Sequence, residues 1–164
     1  MVLEAKIVGK KVIAEGEEVE ELYEKGYGKL KNGVLELNFI EACLLLERGR
    51  IEIKELSFED FFQLAAKNQR FVCRYIVYKD LRERGLPVRL GFKGCDFRVY
   101  ERGAKPDSSK VKWIVFAAAE DYPCEIEQLG KAIKLAQNIR TTALWAIVDN
   151  DTDVTYYIIN SIKP

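Results

Sequence analysis

The sequence predicts an α/β protein of the α+β kind, built in two parts. A small N-terminal α+β domain occupies residues 1–66, and a mixed-sheet domain flanked by helices occupies residues 67–164. Three observations carry this reading. Apolar residues make up 48% of the 164, enough to bury a core without disulfide or metal staples. Period-two apolar runs and helical stretches interleave along the first half. From Pro87 the character changes to successive strands parted by Gly, Pro and Ser loops, with one amphipathic helix among them.

Taken in order, "LEAKIVGKKVIAEG" holds two alternating runs about Gly9-Lys10, the pattern of a hairpin. Glu17 to Lys25 is a short helix stopped by Gly26. Asn32-Gly33 lies between apolar-alternating flanks, and both residues tolerate the positive φ of a tight hairpin turn. Asn38 can cap the first free amides of "NFIEACLLLERG", with Glu41 as its capping-box partner and Gly49 as the stop. "RIEIKEL" is a strand. Ser57 and Asp60 open the next helical stretch, and the polar Lys67–Arg70 marks a break before a second helix. Gly85 and Pro87 end that helix. "PVRLGF", "CDFRVYE" and "VKWIVFAAA" read as strands. "EIEQLGKAIKLAQNIR" is amphipathic, with Ile126, Leu129, Ile133, Leu135 and Ala136 towards one face. "ALWAIVD" is nearly all apolar, as in a strand covered on both sides. "DNDTD" is a turn and "VTYYIINSI" a last strand.

Charge and cysteine usage narrow the function classes. The 26 basic and 26 acidic residues cancel, which argues against polycation behaviour while leaving room for a local basic face. The first residues alternate like a strand and show no secretory leader. No stretch approaches the roughly 18 apolar residues of a membrane span. A cytoplasmic protein without a membrane partner is therefore expected. Cys43, Cys73, Cys95 and Cys124 are scattered with no C-x-x-C spacing, and there is no histidine. Free thiols are expected, and no metal or other cofactor. The dense mixed charge is compatible with a thermophile.

Two kinds of phosphodiester chemistry can be weighed on the residues. Metal-dependent cleavage wants an acid on one strand and an acid-x-Lys on the next. Asp96 could supply the first. The following strand reads "WIVFAAAED", with alanines where the rest should stand and Glu120 and Asp121 past its end. Asp96 reads instead as a buried or turn-satisfying carboxylate. Metal-free RNA cleavage needs a base for the 2′-hydroxyl, an acid for the leaving 5′-oxygen and a fixed cation for the phosphate charge. Lys93, Arg98, Arg102, Lys105, Lys110 and Lys112 gather in one segment, diluted by Glu101 and Asp107. They form either a phosphate-contacting cleft wall or a solvated charged face. Arg140, at a helix end, is a further phosphate contact or a dipole-complementing cap.

The segments "YIVYKDLRERG" (Tyr75–Gly85), K-G-x-D-F-R-x-Y (Lys93–Tyr100) and A-I-V-D-x-D-x-D (Ala146–Asp153) resemble the C-terminal catalytic domain of archaeal tRNA-intron (splicing) endonucleases. "ELYEKGYGKLKNGVLELNFIEACLLLERGRIEI" resembles their N-terminal domain. The resemblance spans nearly the whole chain and implies a restriction-endonuclease-like C-terminal domain. It also implies a cleaving triad of tyrosine, histidine and lysine. The tyrosine position falls on Tyr100, the histidine position on Lys110 and the lysine position on Thr141. An ammonium with a reference pKa of roughly 10.4 is a poor proton donor at neutral pH, and Thr141 carries no charge. The resemblance therefore implies a structural, non-catalytic subunit of an α2β2 heterotetramer. Its partners would be precursor tRNA and a homologous catalytic subunit. RNA contacts would be Lys93, Arg98, Lys110 and Arg140. Glu120 and Asp121 would form an acidic interface loop, and Tyr156, Tyr157 and Ile158 an edge strand joining subunits. An active homo-oligomeric endonuclease with a rearranged site and a structural RNA-binding module outside splicing remain as alternatives.

Overall fold

The structure, a computed structural model, describes residues 2–164. The chain divides between Val72 and Cys73 into two compact units. Both are α+β, the class read from the sequence.

The first unit opens with the antiparallel hairpin of β1 (Leu3–Val8) and β2 (Lys11–Glu15). There follow α1 (Val19–Glu24), β3 (Lys29–Lys31), β4 (Val34–Leu37), α2 (Phe39–Glu47), β5 (Ile51–Ile53) and α3 (Phe58–Ala65). The sheet order is β3-β4-β2-β1-β5, with β1 and β5 the parallel pair. Period-two alternation buries Leu3, Val12, Ala14, Leu35 and Ile51 and turns Glu4, Lys6, Glu15 and Glu52 outward. The caps form as the sequence leads one to expect. Asn38 Oδ1 accepts from the Glu41 amide at 2.8 Å, and Glu41 Oε1 accepts from the Asn38 amide at 3.1 Å. Ser57 and Asp60 repeat the arrangement at α3. The second oxygen of Glu41, buried with its residue at 4% exposure, accepts from the Gly28 amide at 2.8 Å. Gly28 must be a glycine: its φ is +63°, and a Cβ there would stand 2.5 Å from the Glu36 carbonyl oxygen.

The second unit takes most of α4 (Phe71–Glu83), then β6 (Val88–Leu90), β7 (Phe97–Val99), β8 (Trp113–Ala119), α5 (Ile126–Asn138), β9 (Thr142–Val148) and β10 (Val154–Ile159). The sheet order is β10-β9-β8-β7-β6. β8 and β9 are parallel, with α5 as their crossover, and the other pairs are antiparallel. The apolar runs of β8 and β9 follow from cover on both faces. On one, Tyr78 of α4 meets Phe97 at 5.8 Å between ring centroids. On the other, Ile114, Ala136 and Ala143 form a cluster with Cys95, Val111, Leu135 and Ile139 packed against it.

Two strands are shorter than their sequence patterns. "PVRLGF" and "CDFRVYE" keep only Val88–Leu90 and Phe97–Val99. A turn closed by the Cys95 amide on the Phe92 carbonyl at 3.0 Å takes up the residues between. α5 ends in a Schellman motif: the Arg140 amide reaches the Gln137 carbonyl at 3.1 Å and the Thr141 amide reaches that of Ala136 at 2.9 Å. Arg140 adopts the left-handed φ of +55° that this motif requires and that glycine usually fills.

Candidate functional site

Three segments meet at one end of the second sheet. The Lys112 amide donates to the Val99 carbonyl at 2.8 Å. Trp113 pairs with Val99 on one side and Thr142 on the other. Tyr100, Lys110 and Thr141 are thereby carried to the same end of β7, β8 and β9.

Each does something different there. Tyr100 is 2% exposed, its ring packed in the core. Just past the end of β7 at Val99, the Tyr100 amide donates to the Pro87 carbonyl at 3.0 Å. The Thr141 hydroxyl is committed to the backbone, donating to the Lys112 carbonyl at 2.6 Å and lying 3.2 Å from that of Val111. It ties the end of α5 to the start of β8 and supplies no charge. Lys110 is exposed, and among the described residues its ammonium has no hydrogen bond or ion pair.

The basic cluster divides into engaged and free cations. Lys112 pairs with Glu101 at 3.1 Å and lies 4.3 Å from the Trp113 ring centroid. Arg102 donates to the Arg84 carbonyl at 2.8 Å. Arg98 donates to the Leu90 carbonyl at 2.7 Å. Asp107 is drawn to Arg89 at 3.6 Å. Lys93, Lys105, Lys110 and Arg140 keep side chains with no partner among the described residues.

Asp96 is a structural tie. At 8% exposure, one oxygen accepts from the Ala117 amide at 2.8 Å and the other lies 3.1 Å from Arg74 Nε. Its own amide donates to the Val115 carbonyl at 2.9 Å, so it locks the start of β7 onto β8. Glu120 and Asp121 stand exposed beyond β8 with no side-chain partner among the described residues. Among those residues no group of three His, Cys, Asp or Glu is placed to hold a metal. No described helix is long and apolar enough to cross a membrane.

β10 lies at the edge of the sheet, and its residues face different tasks. The Tyr156 hydroxyl donates to Asp80 Oδ2 at 2.6 Å, and Arg84, bonded to the same oxygen at 2.9 Å, lies over the Tyr156 ring. Tyr156 is thus held within its own unit. Tyr157 and Ile158 are 54% and 69% exposed. Asp80 and Arg84 can be paired from their spacing on a helix, but their third member cannot be read from the sequence. Burial, and then the bond to Asp80, push the Tyr156 phenol well above its usual range. A raised folded-state value means that its contribution is whole below about pH 10 and fades as the pH rises past it. Tyr156→Phe is expected to lower stability by about 1 kcal/mol at neutral pH. Denaturant melts should show the gap between the two proteins narrowing above pH 10.

Comparison with known proteins agrees across both units. Residues 71–156 match the family described as tRNA intron endonuclease, catalytic C-terminal domain, and residues 3–62 match tRNA intron endonuclease, N-terminal domain. A tRNA-splicing endonuclease of Thermococcus onnurineus is 38% identical over 98% of this chain and 97% of its own length. One from Methanococcus maripaludis is 38% identical over 93% of this chain and 89% of its own. One from Methanosarcina mazei is 39% identical over 99% of this chain, which spans only 47% of that protein. The chain therefore spans about half the length of some relatives and nearly all of others. Both units are thus endonuclease domains in kind. The chain belongs to the tRNA intron endonuclease family.

Proposed function

We propose that this chain is the structural, non-catalytic subunit of a cytoplasmic tRNA-splicing endonuclease. The complex would remove introns from precursor tRNA at bulge-helix-bulge sites, leaving 2′,3′-cyclic phosphate and 5′-hydroxyl ends without a metal. The observation that carries the reading is the state of the sheet end just described. Cleavage needs a group that protonates the leaving 5′-oxygen and a fixed cation over the developing phosphate charge. Lys110 supplies an ammonium where an imidazole is wanted, and the Thr141 hydroxyl is already bound to carbonyl oxygens. Tyr100 alone keeps the residue type the chemistry uses.

The domains 1–66 and 67–164 then serve assembly. A homologous catalytic subunit would complete an α2β2 heterotetramer. The free edge at Tyr157 and Ile158 offers main-chain pairing to a neighbour. The unpaired carboxylates of Glu120 and Asp121 suit a polar pocket on another subunit, and Lys93, Lys110 and Arg140 suit RNA phosphates. The test compares precursor tRNA cleavage by the purified chain, by a homologous subunit carrying tyrosine, histidine and lysine at the three positions, and by the mixture. Cleavage is expected from the mixture and none from this chain alone. Cleavage by this chain alone, abolished by Tyr100→Phe, would replace the reading with that of an active homo-oligomer.

A further inference from the structure

The apolar cluster of Ile114, Ala136 and Ala143, with Cys95, Val111, Leu135 and Ile139 against it, has a basic rim. Lys110 adjoins Val111, Arg140 adjoins Ile139, and Lys93 belongs to the same turn as Cys95. All three side chains lack a partner among the described residues. Phe92 opens that turn, and its residue is 39% exposed.

The aromatic ring is held in place there by three features. The Phe92 carbonyl accepts from the Cys95 amide at 3.0 Å across Lys93 and Gly94, and Gly94 has a φ of +101°. Gly91 lets the chain close tightly, since a Cβ there would stand 2.5 Å from Cys95. Arg98 anchors its Nε on the Leu90 carbonyl at 2.7 Å and sets its guanidinium 4.9 Å from the Phe92 ring centroid. The guanidinium that the family resemblance offers to a phosphate lies here against a ring.

We propose that Phe92, positioned by Arg98, is a stacking platform for an unpaired RNA base, with Lys93, Lys110 and Arg140 taking the flanking phosphates. This rests on the reading of the chain as an RNA-contacting subunit. Every base has a π-face, so such a platform is indifferent to sequence. It does distinguish strandedness, because bases in a continuous duplex are already stacked. A protein partner would have to bring counter-charge to three separate cations. A phosphate backbone carries it at every step.

The test uses the full chain with a single-stranded RNA of about a dozen nucleotides, carrying a central 2-aminopurine, and the blunt duplex of the same sequence. Binding is followed by anisotropy across a salt series, and stacking by quenching of the 2-aminopurine. Phe92→Leu keeps an apolar side chain in the turn and removes the π-face. It is expected to weaken single-strand binding about tenfold at every salt concentration, abolish the quench and leave duplex binding unchanged. Phe92→Trp should keep the quench, and Arg98→Ala should reduce it. Lys93→Ala, Lys110→Ala and Arg140→Ala should each weaken both RNAs and flatten the single-strand salt slope by about 0.7.

A folded Phe92→Leu protein that binds and quenches like the wild type, while the cation variants weaken binding, overturns the platform and leaves the RNA-contacting reading in place. A wild-type chain that binds neither RNA, or cation variants that change nothing, overturns both.

Discussion

Replacing Lys110 by histidine and Thr141 by lysine together is expected to give the isolated chain precursor tRNA cleavage on the order of a thousandfold above its wild-type level. The scaffold is in place: β7, β8 and β9 bring positions 100, 110 and 141 to one end of a hydrogen-bonded sheet. The double change restores a proton donor that titrates near neutrality and a cation for the phosphate. Either single change should restore far less, because groups that act as a unit do not contribute additively. Adding Tyr100→Phe should cancel the gain. Thr141→Lys also removes the hydroxyl that reaches the Lys112 carbonyl, so Thr141→Ala is the control for the lost tie. Single-turnover kinetics on precursor tRNA, with product ends identified by their phosphate chemistry, reads every variant. A double variant that folds like the wild type and stays silent would mean that the three positions do not form the cleaving site.

Asp96→Ala is expected to destabilise the second unit by about 1–3 kcal/mol, the usual consequence of leaving a buried donor without its acceptor. It removes the carboxylate that accepts from the Ala117 amide and lies beside Arg74. Asp96→Asn keeps an oxygen for the amide and should lose less. Urea denaturation of the full chain should show a transition from the second unit moving to lower denaturant while that of the first stays put. Equal shifts in both would mean that the units do not unfold separately. The effect would also separate stability from chemistry, since the carboxylate touches backbone and arginine rather than the face occupied by Lys110 and Arg140.

Local chemistry was legible in this sequence, and long-range engagement was not. Asn38 with Glu41 and Ser57 with Asp60 are capping boxes because a side-chain oxygen and an amide three residues on meet whatever the rest of the chain does. The run of β9 from Ala143 to Val148 announces two-sided burial because no polar residue interrupts it. Tyr100 could not be read this way. Its burial is set by the packing of the whole unit and not by any local pattern. The Tyr156–Asp80 bond joins residues 76 apart, and the Thr141–Lys112 bond joins residues 29 apart. No periodicity reports either. The substituted triad positions were located by likeness to a family. What the local physics added was the reason for proposing that a lysine and a threonine there leave the chain without a proton donor and a fixed cation.

Arg140 carries one more lesson. Its left-handed backbone, closing α5, would be adopted by glycine at about 1 kcal/mol lower energy. The chain tolerates local unfavourable geometry where it holds a charge up to solvent. An engineer who hardened the protein by putting glycine at this helix terminus would gain heat resistance and give up the guanidinium. At that one joint, durability and grip pull in opposite directions.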